Sequence, residues 1–169
     1  MEINMKMNEQ LVCVRYASPL GPMLLAASDA GLAGVWFEGQ RHGPESVPWR
    51  ESPRHPVLRE AVRQLQEYFD GRRTAFELPL DLTHGTPFQQ SVWQALLAIP
   101  PGATTSYGEL GRRLGRPQAA RAVGAAVGRN PVSIVVPCHR VLGTAGALTG
   151  YAGGLERKSA LLQLEGALM

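Results

Sequence analysis

A cysteine and a histidine stand side by side at Cys138 and His139, within the stretch NPVSIVVPCHRVLG that covers residues 130–143. A thiol next to an imidazole suggests a nucleophile and its base. Neighbouring side chains on a strand point to opposite faces, however, so the two groups need not touch. A lone cysteine after an apolar run is often an inert, buried residue. The pair therefore predicts either a reactive thiol or a packed one, and the surrounding elements must distinguish them.

Three helices are predicted ahead of this pair. The first begins at residues 86–89 (TPFQ), a capping box with proline at the first helical position, and stops at the turn PPG. A second capping box, residues 106–109 (SYGE), begins the second helix, and QAARAVGAAVGRN forms the third. The Gly/Pro break at residues 115–117 between the last two helices predicts a helix-turn-helix. A strand, SIVV at 133–136, should then lead to the cysteine, and a terminal helix, LERKSALLQLEG, should end at Gly166.

The first forty residues contain apolar runs separated by turn signals. LVCVRYAS, MLLAAS and GLAGVWF read as three strands, the first two joined by a hairpin at PLGP. Residues 39–56, rich in Gly, Pro and charge, are predicted to be a loop. The helical spacing of PVLREAVRQLQEYFDG predicts a helix that stops at Gly71, and residues 78–85 (LPLDLTHG) read as a linker. The pattern predicts an α+β chain with domains at 1–80 and 86–169.

The composition narrows the class of protein. Of 169 residues, 44% are hydrophobic and 18% are charged, which is usual for a globular protein. No run approaches the ~18 apolar residues of a membrane span, and the first ten residues lack the apolar core of a signal peptide. We therefore expect a soluble, cytoplasmic protein with no membrane partner. Cys13 and Cys138 lack CxxC-type partners, so we expect free thiols, no metal and no cofactor.

Positive charge is concentrated in one segment. Residues 101–150 carry six arginines against a single acid, Glu109, although the whole chain has a net charge of only +3. The arginines are Arg112, Arg113, Arg116, Arg121, Arg129 and Arg140. Such a concentration predicts a polyanion-binding face, or only a solvated basic surface.

The third of these helices is nearly free of bulky side chains. Glycine within a helix costs up to about 1 kcal/mol relative to alanine, so its two glycines, Gly124 and Gly128, need a reason. One reason is close approach of the helix and Arg121 to a nucleic-acid groove. The other is tight packing of the helix against its neighbours in the core.

Several motifs, taken together and in order, resemble a known family. FQQSVWQAL, IPPGATTSYGELG, AARAVGAAVGRNPVSIVVPCHRV and TGYAGGLERKSALL are similar to motifs of the O6-alkylguanine-DNA alkyltransferases (methylated-DNA–protein-cysteine methyltransferases). The resemblance runs from about Thr86 to Glu165, and before that only SPLGPMLLAAS looks similar. It implies a small RNase-H-like N-terminal module without a nuclease site, and a winged-helix-like C-terminal domain that contains the helix-turn-helix.

The resemblance also implies a chemistry. Cys138 would take the alkyl group, typically methyl, from O6 of guanine in DNA, and also from O4-alkylthymine, in one irreversible turnover. His139 would activate the thiol through a bridging water, and Glu165 would orient the imidazole. Asn130 would support the turn at the active site, and Tyr107 would donate a hydrogen bond to the base.

The resemblance extends to the base pocket and the DNA. The pocket would be formed by Pro137, Val141, Tyr151 and Ala152, where many relatives have serine at the last position. The small-residue helix would enter the minor groove of double-stranded DNA, and Arg121 would fill the gap left by the flipped base. Further DNA contacts would come from Tyr107, Ala120, Ala122, Gly124, Arg116 and Arg129. We expect a monomer in solution.

Two other functions are open to a chain of this kind. A damage-sensing module would recognise alkylguanine without repairing it, but such proteins lack the reactive cysteine. A cysteine hydrolase with an incidental helix-turn-helix would turn over many times and have no affinity for DNA. Without the resemblance, Glu165 reads as an exposed carboxylate at a helix end, and Tyr107 as a packed aromatic residue.

Overall fold

An antiparallel sheet begins the structure, a computed structural model that describes residues 11–168. Strands β1 (Val12–Ser18), β2 (Gly21–Ser28) and β3 (Gly31–Phe37) pair in sequence order through tight turns. The Ser18 hydroxyl closes the first turn, accepting from the Leu20 amide and donating to the Gly21 carbonyl. β3 is buried along its whole length, as expected of a strand covered on both faces. The three predicted strands are confirmed.

The predicted loop at residues 39–56 contains a fourth strand. β4 (Arg50–Glu51) pairs in parallel with the start of β1, so the sheet order is β3-β2-β1-β4. The preceding residue, Trp49, is buried and stacks on Trp36, with ring centroids 5.8 Å apart. The loop prediction is wrong here because two residues are too few to show the alternation that marks a strand.

Helix α1 (Pro56–Phe69) packs on this sheet. Leu58, Ala61 and Leu65, at helical spacing, are fully buried. Gly71 follows the last turn with a φ of 75°, a left-handed conformation that favours glycine and ends the helix. The helix and its stop signal are confirmed.

The predicted linker at residues 78–85 is in part a component of the sheet. Leu80 forms a parallel bridge with Leu32. The Leu32 amide donates to the Pro79 carbonyl, and the Leu32 carbonyl accepts from the Asp81 amide, both at 2.8 Å. The buried Asp81 carboxylate accepts hydrogen bonds from the hydroxyls of Ser28 and Thr83. The linker prediction is wrong for these residues, and the first compact unit continues to His84.

The second compact unit begins at Gly85 and is mainly helical. It contains helices α2 (Pro87–Leu96), α3 (Tyr107–Arg113), α4 (Ala120–Gly128) and α5 (Leu155–Leu164), with a short parallel pair, β5 (Thr105–Ser106) and β6 (Val141–Leu142). Strands and helices in this arrangement confirm the α+β class. Among residues 11–168, no helix is both long enough and apolar enough to cross a bilayer.

Both predicted capping sites begin helices. At α2, the Thr86 hydroxyl accepts from the Gln89 amide, and the Gln89 side chain accepts from the Thr86 amide. At α3, the Ser106 hydroxyl accepts from the Glu109 amide. The Glu109 carboxylate pairs with Arg112 and Arg113 on the next turn. The predicted start of each helix is confirmed.

Helices α3 and α4 form the predicted helix-turn-helix, and both pack on α2. The indole N–H of the buried Trp93 on α2 donates to the Ala126 carbonyl of α4 at 2.8 Å. At the turn, the Arg116 amide donates to the Gly111 carbonyl at 2.8 Å. A Cβ at Gly111 would lie only 2.9 Å from the Arg116 carbonyl oxygen, so this close approach requires glycine.

The segment SIVV at residues 133–136 is not a strand. It forms buried turns in which the Val136 amide donates to the Val132 carbonyl at 2.9 Å, and Ile134 has a φ of 72°. A positive φ is unusual for a β-branched residue and breaks the extended backbone. The strand prediction is wrong because an apolar run of four residues records burial, not backbone conformation.

The helix-turn-helix generates a stability prediction. Replacing Gly111 with alanine should lower the free energy of unfolding by about 1–3 kcal/mol, because the added methyl group meets backbone and not a flexible side chain. Gly128→Ala is the matched control, since a Cβ there meets no atom within 4 Å and alanine favours the helix. Urea denaturation of both variants measures the difference, and equal stabilities would contradict the assigned contact.

Candidate active site and DNA interface

Cys138 lies in a buried turn that the side chain of Asn130 holds together. The cysteine begins a short 3-10 helix, Cys138–Arg140, and is 7% exposed. Asn130 is also buried, and its amide nitrogen donates to the Val136 carbonyl at 2.8 Å while its oxygen accepts from the Val132 amide at 3.0 Å. One side chain thus satisfies backbone groups on both sides of the turn, which stabilises an irregular segment inside the protein.

Burial and the neighbouring polar groups have opposite effects on the pKa of the Cys138 thiol. Burial raises the pKa of Cys138 to about 11, while a hydrogen bond from Asn130 and the positive charge of Lys158 act to lower this pKa. The thiol is therefore protonated at neutral pH, and two groups stand near it that stabilise the thiolate once it forms.

His139 forms a buried pair with Glu165. Its Nε2 lies 2.8 Å from Oε2 of Glu165, and the two side chains are 0% and 2% exposed. Burial lowers the pKa of His139, although the Glu165 carboxylate opposes this, and thereby favours the neutral imidazole at pH 7. The other ring nitrogen, Nδ1, is buried and has no hydrogen-bond partner among residues 11–168. A neutral imidazole that donates through Nε2 offers Nδ1 as a proton acceptor.

Arg140 belongs to this cluster and not to a basic surface. It is 5% exposed and bonds both carboxylate oxygens of Glu165, from Nε and Nη2, each at 2.9 Å. Its Nη1 donates to the Ile99 carbonyl at 2.5 Å. The prediction that Arg140 contributes to a polyanion-binding face is wrong, because its charge is buried and paired with Glu165. The only signal in the sequence was its position directly after the cysteine and histidine.

Lys158 is a site residue that the sequence analysis missed. Its ammonium group is fully buried and donates to the carbonyls of Val141, Thr149 and Gly150 at 2.7, 2.7 and 3.1 Å. Burial lowers the pKa of Lys158 to about 8. A lysine in the middle of a terminal helix ordinarily faces solvent, so the sequence carried no signal for this role. Lys158 fixes both ends of the exposed loop that follows β6.

The four predicted pocket residues differ in burial. Pro137 and Val141 are buried, and Tyr151 and Ala152 are half-buried. Burial raises the pKa of Tyr151 well above its ordinary value, and the Cys138 charge acts in the same direction, which places the phenol near the thiol. The Val141 carbonyl already accepts one hydrogen bond from Lys158 and keeps a second lone pair for another donor.

A groove of about 630 Å³ runs between α3, α4 and the loop after β6. The residues that line it include Tyr107, Gly108, Ala120, Arg121, Gly124 and Ala145. Tyr107 connects this groove with the cysteine. Burial raises the pKa of Tyr107, as does the Cys138 charge, while a hydrogen bond with Thr149 opposes the shift.

Helix α4 uses one face for packing and the other for the groove. Val123, Ala126 and Val127 are buried, whereas Ala120, Arg121 and Ala122 are exposed. The small side chains therefore lie on two faces of the helix, one packed in the core and one exposed. At Gly124, an added Cβ would contact the Tyr107 ring at 3.6 Å, whereas Gly128 has open space and nothing in the structure explains it.

Three predicted DNA-contact residues do not line this groove. Ala122, Arg116 and Arg129 are outside its lining. Arg116 is exposed, with its guanidinium 5.3 Å from the centre of the Phe88 ring, and Arg129 caps the C-terminus of α4. Arg112 and Arg113 are exposed but pair with Glu109. The six arginines thus divide into a buried one, two in surface ion pairs, and Arg116, Arg121 and Arg129.

Within residues 11–168, no three His, Cys, Asp or Glu side chains lie close enough to hold a metal ion. The site consists of a buried thiol, a neutral imidazole with a carboxylate behind it, and a groove that carries an exposed arginine. These groups provide a soft nucleophile and a proton acceptor.

Comparison with known proteins gives matches along nearly the whole chain. The ribonuclease-like domain of 6-O-methylguanine DNA methyltransferase matches residues 11–82, and the DNA-binding domain of the same family matches residues 87–167. The chain is 51% identical to the methylated-DNA–protein-cysteine methyltransferase of Mycobacterium leprae, over 90% of this chain and 91% of that protein. With the enzyme of that name from Methanosarcina acetivorans it shares 48% identity, over 90% and 96%.

Solved structures match equally well. The Mycobacterium tuberculosis O6-methylguanine methyltransferase has a TM-score of 0.84 and 47% identity, covering 95% of each chain. The crystal structure of Mycobacterium tuberculosis OGT in complex with DNA has a TM-score of 0.83 and 47% identity, covering 94% of this chain and 93% of that one. These matches confirm the resemblance and its ribonuclease-like first unit: the chain belongs to the 6-O-methylguanine DNA methyltransferase family.

Proposed function

We propose that this protein repairs DNA by direct reversal, transferring the alkyl group of O6-alkylguanine to Cys138 in a single irreversible turnover. The observation that carries the proposal is the buried Cys138 followed by a His139–Glu165 pair in which Nδ1 of His139 has no hydrogen-bond partner within residues 11–168. The groove with the exposed Arg121 supports DNA as the substrate. Similarity to methyltransferases that bear this name, and to OGT in complex with DNA, supports the same conclusion.

The proton of the thiol leaves through His139. Side chains of adjacent residues diverge, so we propose that a bridging water links Cys138 to Nδ1 of His139. As the proton arrives at Nδ1, the Nε2–H donates to Glu165, whose negative charge stabilises the imidazolium. The sulfur then forms a bond to the alkyl carbon while the bond from that carbon to O6 breaks. Because a thioether is not readily hydrolysed, the reaction consumes the protein.

The departing guanine needs stabilisation because the electron pair of the broken bond stays on the base. Tyr107 would donate a hydrogen bond to the ring, which would lower the barrier. The carbonyls of Cys138 and Val141 would accept from the exocyclic amino group, and the Ala152 amide would face O6. Alanine serves at this position if only the backbone amide is used. Tyr151 would form the wall of the pocket, next to Pro137.

The exposed face of α4 is proposed to enter the minor groove, with Ala120, Ala122 and Gly124 allowing close approach. Arg121 would occupy the space of the extruded nucleotide, since a base inside the duplex cannot reach the buried thiol. Arg116 and Arg129 would contact phosphates and add salt-dependent affinity. Minor-groove contacts read little sequence, which suits repair at any position.

The proposal includes activity on O4-alkylthymine and action as a monomer in the cytoplasm and nucleoid. A base pocket made chiefly of backbone groups supports more than one alkylated base. A single copy of the chain holds the thiol, the His139–Glu165 pair and the groove, so the site is complete without a second copy.

Stoichiometric mass analysis tests the proposed transfer. Incubation with a duplex that carries O6-methylguanine should add one methyl group per protein molecule, and peptide mapping should place it on Cys138. Cys138→Ala should abolish transfer and retain DNA binding, because the alanine removes only the nucleophile. Cys13→Ala is the matched control, since Cys13 is also a buried free cysteine and should leave transfer intact. An unchanged mass of the wild-type protein would refute the function.

Tyr107→Phe tests the stabilisation of the leaving group. The single-turnover rate should fall by up to about 10²-fold because the phenol proton is lost while the ring that contacts α4 is kept. Tyr16→Phe, on the first unit, is the control and should react at the wild-type rate. A Tyr107→Phe protein with an unchanged rate would exclude Tyr107 as the donor.

Arg121→Ala tests the DNA-binding face. The variant should bind duplex DNA more weakly, and the slope of log K against log salt should fall by about 1 if Arg121 releases one counterion. Arg72→Ala on the first unit removes another exposed arginine, paired with Asp70, and should change neither quantity. Equal effects of the two substitutions would mean that the groove is not the DNA interface.

A further inference from the structure

Arg140 makes contacts that neither the transfer step nor DNA binding requires of it directly. Its guanidinium bonds Oε1 and Oε2 of Glu165 in a two-point fork and reaches the Ile99 carbonyl with its remaining donor. Ile99 lies just beyond the end of α2, so Arg140 joins that turn to the residue that follows α5. An arginine fork of this kind fixes the plane of a carboxylate as well as its position.

The fork determines what Glu165 can do to His139. Oε2 is shared between Nε2 of the histidine and Nη2 of the arginine, and Oε1 is occupied by Nε. A carboxylate paired in this way has its charge balanced by a guanidinium that does not lose its proton. A carboxylate facing His139 alone would draw a proton onto the imidazole, as an opposite charge does to any buried histidine.

Three charged or titratable side chains act on the His139 imidazole from the elements around it. Glu165, which follows α5, favours the protonated imidazole. Arg140, in the same 3-10 helix as His139, and Lys158 on α5 disfavour it. Arg140 is the one of these that contacts Glu165 directly. It therefore controls the only negative charge in this set.

We propose that Arg140 is a positioning residue for alkyl transfer, which acts through Glu165 to keep His139 neutral, with its proton on Nε2 and Nδ1 available to accept the thiol proton. This role rests on the proposed function, because Nδ1 needs to be available only if His139 accepts a proton from Cys138. It predicts a specific tautomer in the wild-type protein and a specific change when the fork is removed.

The test combines NMR of the imidazole with single-turnover kinetics on the intact chain. Selective ¹⁵N labelling of histidine reports the tautomer of His139 and the midpoint of its pH titration, which is the pKa of the imidazole. The His139 signals are identified as those lost in His139→Asn. The wild type should show the Nε2–H tautomer and a midpoint below that of an ordinary histidine. An Nδ1–H tautomer would overturn the proposal without any variant of Arg140.

Two substitutions separate the charge of Arg140 from its geometry. In Arg140→Gln, the His139 midpoint should rise by about 1 pH unit or more, and the acid limb of the pH–rate profile should move with it. At pH 7 a rise of about 1 unit from a pKa below the ordinary histidine value would slow transfer by up to about threefold, with recovery at higher pH. Arg140→Lys keeps the charge, so the midpoint should stay near that of the wild type while transfer slows at every pH.

Arg73→Gln is the matched control. Arg73 also bridges a carboxylate, Glu67, and a backbone carbonyl, Ala75, but on the first unit, so neither the midpoint nor the rate should change. If Arg140→Gln slows transfer equally at all pH values with an unmoved midpoint, Arg140 is merely structural and the proposal fails. If Arg140→Gln does not fold, the tautomer of the wild type and the midpoint in Arg140→Lys still decide. Loss of transfer by the wild type would instead refute the proposed function and leave the NMR result standing.

Discussion

The carboxylate of Glu165 is the contact on which the site depends. It follows the last helix, yet it bonds two consecutive residues of the cysteine turn, His139 and Arg140, that lie 26 and 25 positions earlier in the chain. Lys158 stands seven residues before Glu165, which is two helical turns and so the same side of the helix. It holds the Val141 carbonyl and the loop beyond β6. One helix therefore anchors the turn with an anion and the pocket loop with a cation.

The charges of Glu165 and Lys158 are both buried, and Glu165 forms a buried ion pair with Arg140. A buried ion pair contributes little net stability, because desolvation offsets the attraction, but it imposes one geometry strongly. The turn carries irregular backbone, with a positive φ at Ile134, that no ladder of strand hydrogen bonds would maintain. Asn130 satisfies that backbone from within, and Glu165 and Lys158 hold it from the helix. The thiol is thus buried in a turn of fixed geometry, and burial keeps it protonated at neutral pH.

The face that is proposed to bind DNA depends instead on the absence of bulky side chains from one surface of helix α4. Helix α4 packs on α2 and α3 through Val123, Ala126 and Val127, and presents small residues with Arg121 on its other side. Glu109 neutralises part of the neighbouring positive charge through Arg112 and Arg113. The groove is thus lined by small residues of α4 together with the exposed Arg112 and Arg121.

Local patterns in the sequence were sufficient for much of the fold. Apolar alternation located three strands, the capping residues Thr86 and Ser106 located two helix starts, and Gly71 marked a helix end, because each depends on neighbours within a few positions. The ordered motifs around Cys138 were sufficient to indicate the family. The tertiary structure alone decided what SIVV becomes, where β4 and Leu80 join the sheet, and which arginines are buried. Arg140 and Lys158 look like surface cations in the sequence. They become site residues only because the fold buries Arg140 against the Glu165 carboxylate, and Lys158 against carbonyls of β6 and the loop after it. Tertiary contacts determine whether a charged side chain is buried and paired, and a local sequence pattern does not reveal those contacts.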